Sequence, residues 1–119
     1  YLIPIYKDAK NNKFTILQQR KGKGIWQNLW EFPLIESKAS LELNDVIAGS
    51  NAVFDGAVVK DIHIYNDMDI VHKLSHQHLH TKFWIVDIEA DLTNKIPVEK
   101  VTEFPVPVLI ADFIKAFKF

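Results

Sequence analysis

Short hydrophobic runs separated by polar turns cover most of the chain. They are rich in β-branched and aromatic residues, which is typical of strands. The runs that predict strands are Tyr1–Tyr6, Phe14–Gln19, Leu29–Ile35, Ala57–Tyr65, Ile70–Leu74 and Leu79–Ile88. Residues 7–12 contain an aspartate and two asparagines and suit a turn, so the first two runs predict a hairpin. Pro33 lacks a backbone donor and predicts a strand end or a sheet edge.

Two segments have features of helices. Ser40 is a candidate N-cap for a short helix from Leu41 to about Ala48, which Gly49 would end. Val106–Phe117 has apolar side chains near helical spacing, with prolines at its entrance. Packing these segments around one core predicts an α+β domain with a mixed sheet of about six strands and two helices.

Length and composition limit the class of protein. The 119 residues are enough for a single domain, 1–119, with its own core. No apolar run approaches the roughly 18 residues of a transmembrane helix, and the chain opens without a signal peptide, so we expect a cytoplasmic protein with no membrane partner. The chain begins on a strand and without a methionine, and we expect a domain excised from a longer protein.

Charge and cysteine content limit the ligands and metal sites that the chain could bind. The formal net charge of −1 argues against coating nucleic acid by bulk electrostatics, although a local basic patch is compatible with it. The sequence contains no cysteine. Disulfides and iron–sulfur clusters are therefore excluded from this chain, and any metal site would have to use histidine and carboxylates.

The stretch GKGIWQNLWEFP, residues 22–33, predicts a shaped loop that runs into a strand. Gly22 and Gly24 permit positive φ, and Asn28 is the other residue type that tolerates it well. Trp30 and Phe32 are two residues apart and would share one face of a strand. Buried packing is the main interpretation of these rings.

Basic residues lie in and beside this stretch, and they suggest a second interpretation, in which the loop binds phosphates. Arg20, Lys21 and Lys23 could bind phosphates while the rings hold the loop rigid. A solvated loop is the alternative explanation for such charges. Lys73 lies in the later histidine-rich segment and is a further candidate for a phosphate contact.

Histidines cluster between residues 72 and 80. His76, His78 and His80 alternate, so on a continuous strand they would face one side, as a three-histidine zinc site requires. The cluster itself contains no carboxylate, and Ser75 with His76 suggests a turn that would break the alternation. Exposed strand histidines and polar recognition by the turn are the other interpretations. A Ser-His nucleophile is disfavoured because no G-x-S-x-G elbow surrounds the serine.

Taken together, the two regions resemble one family. The residues that carry the resemblance are Arg20, Gly24-Ile25-Trp26, Leu29-Trp30-Glu31-Phe32-Pro33, His72, Ser75-His76 and Leu79. They look like the C-terminal domain of adenine DNA glycosylases of the MutY type. The resemblance implies a Nudix-like fold over essentially the whole chain and recognition of 8-oxoguanine opposite misincorporated adenine.

The resemblance also implies roles for individual residues. Ser75 matches the serine placed against the oxidised edge of the lesion base, and His76 matches the histidine beside it. Leu74 stands where an aromatic residue is usual, which keeps an apolar contact but weakens the expectation of stacking. A hydroxyl suits the lesion because oxidation adds a carbonyl at C8 and turns N7 into a donor.

The same comparison argues against pyrophosphate hydrolysis. Nudix hydrolases hold magnesium on a helix with an Arg-Glu followed by a Glu-Glu pair. Arg20 is the only arginine, Lys21 and Gly22 follow it, and the predicted helix region offers Glu42 and Asp45 with Glu36 upstream. We therefore expect no catalytic residue and no metal in this chain.

The resemblance thus implies a monomeric DNA-binding domain of an adenine glycosylase that acts in base excision repair in the bacterial cytoplasm, near the nucleoid. Its partners would be duplex DNA containing 8-oxoguanine:adenine and the parent's catalytic domain. No cofactor is expected in this chain. The resemblance implies that the parent's catalytic domain is a separate helical domain, which carries a 4Fe-4S cluster and excises the adenine. The alternatives are a degenerate Nudix nucleotide hydrolase and a histidine-based metal-binding module.

Overall fold

A five-stranded mixed sheet forms the centre of the computed structural model, which describes residues 1–39, 41–54, 58–66, 68–74, 78–89 and 92–119. The strands in chain order are β1 (Leu2–Lys7), β2 (Lys13–Thr15), β3 (Gln18–Gln19), β4 (Trp30–Glu31), β5 (Val59–Ile64), β6 (Ile70–Lys73), β7 (His78–Thr81), β8 (Trp84–Ile88) and β9 (Ile96–Pro97). The central sheet has the order β5-β8-β1-β2-β9. In this sheet β1 and β8 are parallel, and the other neighbouring strands are antiparallel.

Two helices and two small sheets complete the described part of the fold. The α-helices are α1 (Leu43–Val53) and α2 (Val108–Phe117), and a 3-10 helix spans Val98–Glu103. β3 pairs with β4, and β6 pairs with β7, each in an antiparallel two-stranded sheet. This architecture confirms the predicted α+β class with a mixed sheet, and α2 confirms the predicted C-terminal helix.

The hydrophobic core is divided between the two faces of the central sheet. Neighbouring strand residues point to opposite faces, and Leu2 and Ile3 accordingly belong to different clusters. Val86 joins Leu2 on the face that packs against Val46 of α1. The other face packs against α2, whose Leu109, Ile110 and Phe113 are buried there. The sheet therefore lies between the two helices.

Phe113 is the centre of an aromatic cluster on the α2 side. Its ring stacks on Phe83 with centroids 4.2 Å apart and an interplanar angle of 11°. Phe32 and Tyr65 meet the same ring edge-on, at 5.8 Å and 5.2 Å. Such stacked and edge-on arrangements are the favourable geometries for aromatic pairs. The cluster joins α2 to the sheet and to the segment that follows β4.

The predicted N-terminal hairpin is confirmed for β1 and β2, whereas the prediction of one strand over Phe14–Gln19 is wrong, because this run divides into β2 and β3, which belong to different sheets. Tyr6 of β1 lies opposite Phe14 of β2. Within the turn, the Asp8 carboxylate accepts hydrogen bonds from the backbone N–H groups of Lys10 and Asn12, each at 2.9 Å. These contacts, first that with Asn12, lower the pKa of Asp8. The hydrogen bonds explain why the aspartate and asparagine pattern marks this turn.

The prediction of one continuous strand over Leu79–Ile88 is wrong. The segment divides into β7 and β8, which belong to different sheets. Asn66 holds the break, because its side chain donates to the Thr81 carbonyl at 3.0 Å and accepts from the Phe83 N–H at 2.8 Å. Periodicity alone does not reveal this interruption, since the polar residue that stabilises it lies far away in the sequence.

The predicted boundaries of the first helix are also wrong. α1 begins at Leu43, two residues later than predicted, and its N-cap is Glu42, while Ser40 lies outside the described residues. Glu42 and Asp45 form a reciprocal capping box. Gly49 lies inside the helix and does not end it; a Cβ atom there would collide with the side chain of Ile35.

The apolar stretch Leu29–Ile35 contains a shorter strand than predicted. Only Trp30 and Glu31 form β4. Beyond it the backbone still contacts the sheet, because the Leu2 N–H donates to the Pro33 carbonyl at 2.8 Å. This arrangement agrees with the expectation that Pro33 stands at a strand end. Among the described residues, no helix has the length and apolar character needed to cross a membrane.

Candidate nucleic-acid interface

Residues 20–30 form a closed loop, here called the Gly-Trp loop. The Arg20 N–H donates to the Leu29 carbonyl, and the Asn28 N–H donates to the Arg20 carbonyl, both at 2.8 Å. A third hydrogen bond joins the Leu29 N–H to the Trp26 carbonyl at 3.0 Å. The backbone therefore returns to its starting point, and the lysines between Arg20 and Ile25 are exposed.

Left-handed backbone conformations shape this loop. Gly22 and Gly24 have φ values of 92° and 143°, and Asn28 has a φ of 69°, which confirms the three positions predicted for positive φ. Trp26, with a φ of 59°, was not predicted. Since a left-handed conformation costs a residue with a Cβ atom about 1–2 kcal/mol, the contacts of the Trp26 side chain have to stabilise it.

A buried ion pair anchors the start of the loop. The Arg20 guanidinium donates to Glu31 through Nε to Oε2 at 3.0 Å and through Nη2 to Oε1 at 3.1 Å. The Tyr1 hydroxyl donates to the same Oε1 at 2.7 Å. The side chain of Glu31 is only 7% exposed, whereas that of Arg20 is 23% exposed. This geometry ties β1 and β4 to the loop.

The pKa values of the two donors follow from this arrangement. Burial raises the pKa of the Tyr1 phenol well above its ordinary value, and the hydrogen bond to Glu31 raises it further. The hydrogen bond with Glu31 also raises the pKa of Arg20. At neutral pH, Tyr1 therefore stays a donor and Arg20 stays a cation, so the anchor remains intact.

The β6–β7 hairpin has two different faces. His72 lies opposite Leu79 on one face, and both residues are half-buried. The other face is exposed to solvent and carries Val71, Lys73, His78 and His80. Residues that are directly opposed across an antiparallel pair share a face. The hairpin therefore directs one histidine inward and two outward.

The Gly-Trp loop and the β6–β7 hairpin meet through their rings. The indole of Trp26 and the imidazole of His72 have centroids 5.7 Å apart. On the same tryptophan, the Arg20 guanidinium carbon lies 5.8 Å from the ring centroid, within the range of a cation–π contact. Two regions that are some forty residues apart in the sequence are thus joined at one surface.

An open groove with a volume of about 920 Å³ borders this junction. Arg20 and Trp26 line it from the loop, and His80 lines it from β7. Its charges are mixed, because Asp69 lies 3.6 Å from a nitrogen of His80 and 3.9 Å from the Lys82 ammonium. The charged part of the groove's lining is therefore mixed in sign and is not uniformly basic.

The predicted site residues fall into three groups. Lys21, Lys23 and Lys73 are exposed, so their ammonium groups can reach a ligand, and Leu74 is half-buried. Arg20 is largely occupied by Glu31, and its predicted phosphate contact stays a prediction. Ser75 and His76 lie outside the described residues, between β6 and β7, and their predicted roles also stay predictions.

A metal site built on alternating histidines gains no support from the described residues. His78 and His80 share the exposed face of β7. Within the described ranges, only Asp61, His63 and Asp87 bring three potential ligand atoms together. His76 lies outside those ranges. The metal-binding hypothesis for this cluster therefore stays a prediction.

The carboxylates near α1 serve its N-terminus. All residues of α1 are described, and Asp45 is the only acidic residue among them. Its Oδ2 accepts a hydrogen bond from the Glu42 N–H at 3.1 Å. A magnesium ion on a diphosphate requires several carboxylate oxygens that converge on one point. The residues of α1 do not fit such a site.

Comparison with known proteins identifies the family. Residues 7–116 match the NUDIX domain, which is nearly the whole chain. The chain belongs to the NUDIX domain family. A search of curated protein sequences gave no match. Among solved structures, a Nudix hydrolase from M. smegmatis, RenU, aligns with a TM-score of 0.64 over 98% of this chain and 81% of its own chain, at 12% identity. At that identity the likeness extends to the Nudix fold alone.

Sequence reasoning missed the buried anchor of the Nudix domain's Gly-Trp loop. The sequence pattern places Glu31 in a motif and Tyr1 in a strand and predicts no contact between them. A signal did exist: Glu31 alternates with Trp30 and Phe32, and a carboxylate inside an apolar stretch requires a partner. Arg20, the only arginine in the chain, was the natural candidate.

Proposed function

We propose that this Nudix-fold chain is a DNA lesion-recognition domain that binds 8-oxoguanine opposite adenine. In this proposal it serves an adenine DNA glycosylase, whose separate helical domain carries a 4Fe-4S cluster and excises the adenine. The chain contributes recognition and no catalytic residue. Its partners are duplex DNA with an 8-oxoguanine:adenine pair and that catalytic domain.

The observation that carries the proposal is the contact between Trp26 and His72. It joins the basic Gly-Trp loop to the hairpin whose two strands flank Ser75. Lesion recognition requires two functions at one surface, since phosphate contacts position a protein and base contacts specify the site. Lys21 and Lys23 are exposed on the Gly-Trp loop, and Lys73 is exposed on the face of the β6–β7 hairpin opposite to that of His72.

The chemistry of Ser75 suits the lesion. Guanine presents N7 as an acceptor in the major groove, whereas 8-oxoguanine carries a donor at N7 and a carbonyl at C8. A serine hydroxyl can accept a hydrogen bond from the N7–H of 8-oxoguanine or donate one to its C8 carbonyl.

The acidic residues of α1 favour recognition over hydrolysis. The helix has one carboxylate, which accepts a hydrogen bond from the Glu42 backbone. Hydrolysis of a diphosphate uses a metal ion to neutralise the phosphate oxygens and orient the attacking water. Without ligands for that ion on α1, the Nudix fold is better suited to binding than to this chemistry.

Fluorescence anisotropy with matched duplexes tests the proposal. The 119-residue chain is titrated with duplexes that contain 8-oxoguanine:adenine or guanine:adenine and are otherwise identical. Ser75→Ala should remove the preference for the lesion and leave general DNA binding, because one good base contact contributes about 1–3 kcal/mol. Thr102→Ala removes an exposed hydroxyl from the 3-10 helix and serves as the matched control.

Each outcome has a defined meaning. A lesion preference that survives in the control and disappears in Ser75→Ala supports the proposal. Equal binding to both duplexes by the unaltered chain contradicts it, as does an unchanged preference in Ser75→Ala. When the chain is joined to its catalytic domain, Ser75→Ala should still excise adenine but should lose its selectivity for the lesion-containing pair.

Membership of the NUDIX family favours a second candidate function, a nucleotide hydrolase. The open groove of about 920 Å³ is large enough for a nucleotide. This candidate is tested by incubating the chain with 8-oxo-dGTP and magnesium and measuring released phosphate or pyrophosphate. Magnesium-dependent release by the unaltered chain would support hydrolysis over lesion recognition, and no release would contradict this candidate.

A further inference from the structure

Three metal-ligating side chains converge on the central sheet, outside the Gly-Trp loop and the β6–β7 hairpin. Asp61 and His63 lie on β5, and Asp87 lies on β8. Each offers one ligand atom, and these atoms all lie within 4.8 Å of one another. We propose that the three side chains form a binding site for a divalent transition-metal ion. This proposal is independent of the proposed DNA recognition.

The strands place the three ligands on one face. Asp61 and His63 are two residues apart on β5, and Asp87 is directly opposite Asp61 across the antiparallel pair. The register of this pair shifts between Val59 and Asp61. Such irregularities re-aim side chains and are common near functional sites. Because two paired strands carry the ligands, their backbone positions are fixed without a metal.

The electrostatics of the cluster call for a cation. Like charges that are directly opposed across two strands destabilise a sheet, and Asp61 and Asp87 form such a pair. Within the described part of the chain, neither carboxylate forms an ion pair with a lysine or arginine. The side-chain partner of Asp61 is His63, whose Nδ1 lies 2.9 Å from Oδ2. A metal ion between the ligand atoms would neutralise both carboxylates.

The donor set selects the class of metal. Calcium and magnesium prefer oxygen ligands alone, and thiolates select softer ions, whereas imidazole combined with carboxylates suits zinc and manganese. The side chains of Asp61 and His63 are 59% and 54% exposed, so water can reach the ion. Three protein ligands with open positions resemble the arrangement of catalytic zinc sites rather than that of closed structural sites.

Titration calorimetry of the 119-residue chain with Zn²⁺, and separately with Mn²⁺ and Mg²⁺, measures the proposed affinity. Zn²⁺ and Mn²⁺ should bind with one ion per chain and more tightly than Mg²⁺. Asp87→Asn keeps the volume of the side chain but removes a charged ligand, so it should weaken binding about tenfold or more. Asp112→Asn, at an exposed position of α2, is the matched control and should bind as the unaltered chain does.

Two further measurements keep the test specific. Substoichiometric Mn²⁺ should broaden the NMR signals of the His63 ring before those of the other histidines. In the absence of metal, Asp87→Asn should melt at the same temperature as the unaltered chain or higher, because it removes the repulsion between carboxylates. Binding that His80→Gln abolishes and Asp87→Asn leaves unchanged would overturn the proposal, as would the absence of selective broadening at His63.

Discussion

The ion pair of Arg20 and Glu31 allows a double-mutant cycle with a calculable outcome. Glu31→Leu removes the bidentate acceptor of Arg20 and the acceptor of the Tyr1 hydroxyl. Arg20→Met leaves a carboxylate whose side chain is only 7% exposed with one remaining donor, Tyr1. Breaking a buried pair by removing one partner costs about 3–5 kcal/mol. Because Arg20 is 23% exposed and water reaches it, the lower end applies.

We therefore expect each single variant to lower the free energy of unfolding by about 3 kcal/mol. The double variant removes both charges and leaves only the Tyr1 hydroxyl without its acceptor, so it should cost about 1–3 kcal/mol rather than the sum of about 6. The coupling energy between the two residues is then about 3–5 kcal/mol. Urea unfolding of the four proteins, followed by tryptophan fluorescence, measures each value.

Additive costs would refute the reasoning, because they would mean that the two side chains do not stabilise each other. The double variant also tests the predicted phosphate contact of Arg20. Loss of one phosphate contact reduces the slope of log binding constant against log salt concentration by about 0.9. An unchanged slope, measured on folded protein, would assign Arg20 to the loop anchor alone.

Three other predictions concern the core, the first turn and the basic surface. Phe113→Ala should lower the free energy of unfolding by about 3–5 kcal/mol, since the ring is 3% exposed and contacts several aromatic rings; a loss below 1 kcal/mol in urea unfolding would contradict the packing described. Asp8→Asn should destabilise the chain at neutral pH. The pKa of Asp8 is lowered in the folded chain. Its stabilisation is therefore complete above the unfolded-state pKa of about 4 and is lost as the pH falls through the lower folded-state pKa. Acid unfolding measurements should accordingly show the stabilities of the two proteins converging at low pH. Lys73→Ala should weaken DNA binding equally for lesion and undamaged duplexes and reduce the salt slope by about 0.9, whereas a selective loss of lesion binding would assign Lys73 to the base.

Local signals in the sequence predicted much of the fold. The turn at Asp8, the positive φ of Asn28 and the helix that ends at Phe117 all depend on residues close to one another in the chain. The split between β7 and β8 and the position of Gly49 inside α1 depend on distant partners, Asn66 and Ile35. No periodicity in a single sequence encodes such partners.

The features of the candidate site likewise include some that local sequence predicts and others that depend on tertiary packing. The exposed lysines and the shaped loop could be expected from residue types alone. The contact between Trp26 and His72 could not, because it depends on how a loop and a hairpin pack in three dimensions. The resemblance to a family predicts that these two regions serve one function, but it does not predict which of their atoms are in contact.

The parallel pairing of β1 with β8 has a consequence for synthesis of the chain. Among the strands described here β1 is synthesised first, yet its neighbour on one side is β8, which follows most of the sequence given. Until β8 arrives, the β1–β2 hairpin exposes an unpaired edge, and such edges promote association between chains. Pairings between distant segments also slow folding. The domain is therefore most vulnerable to aggregation while its second half is being synthesised.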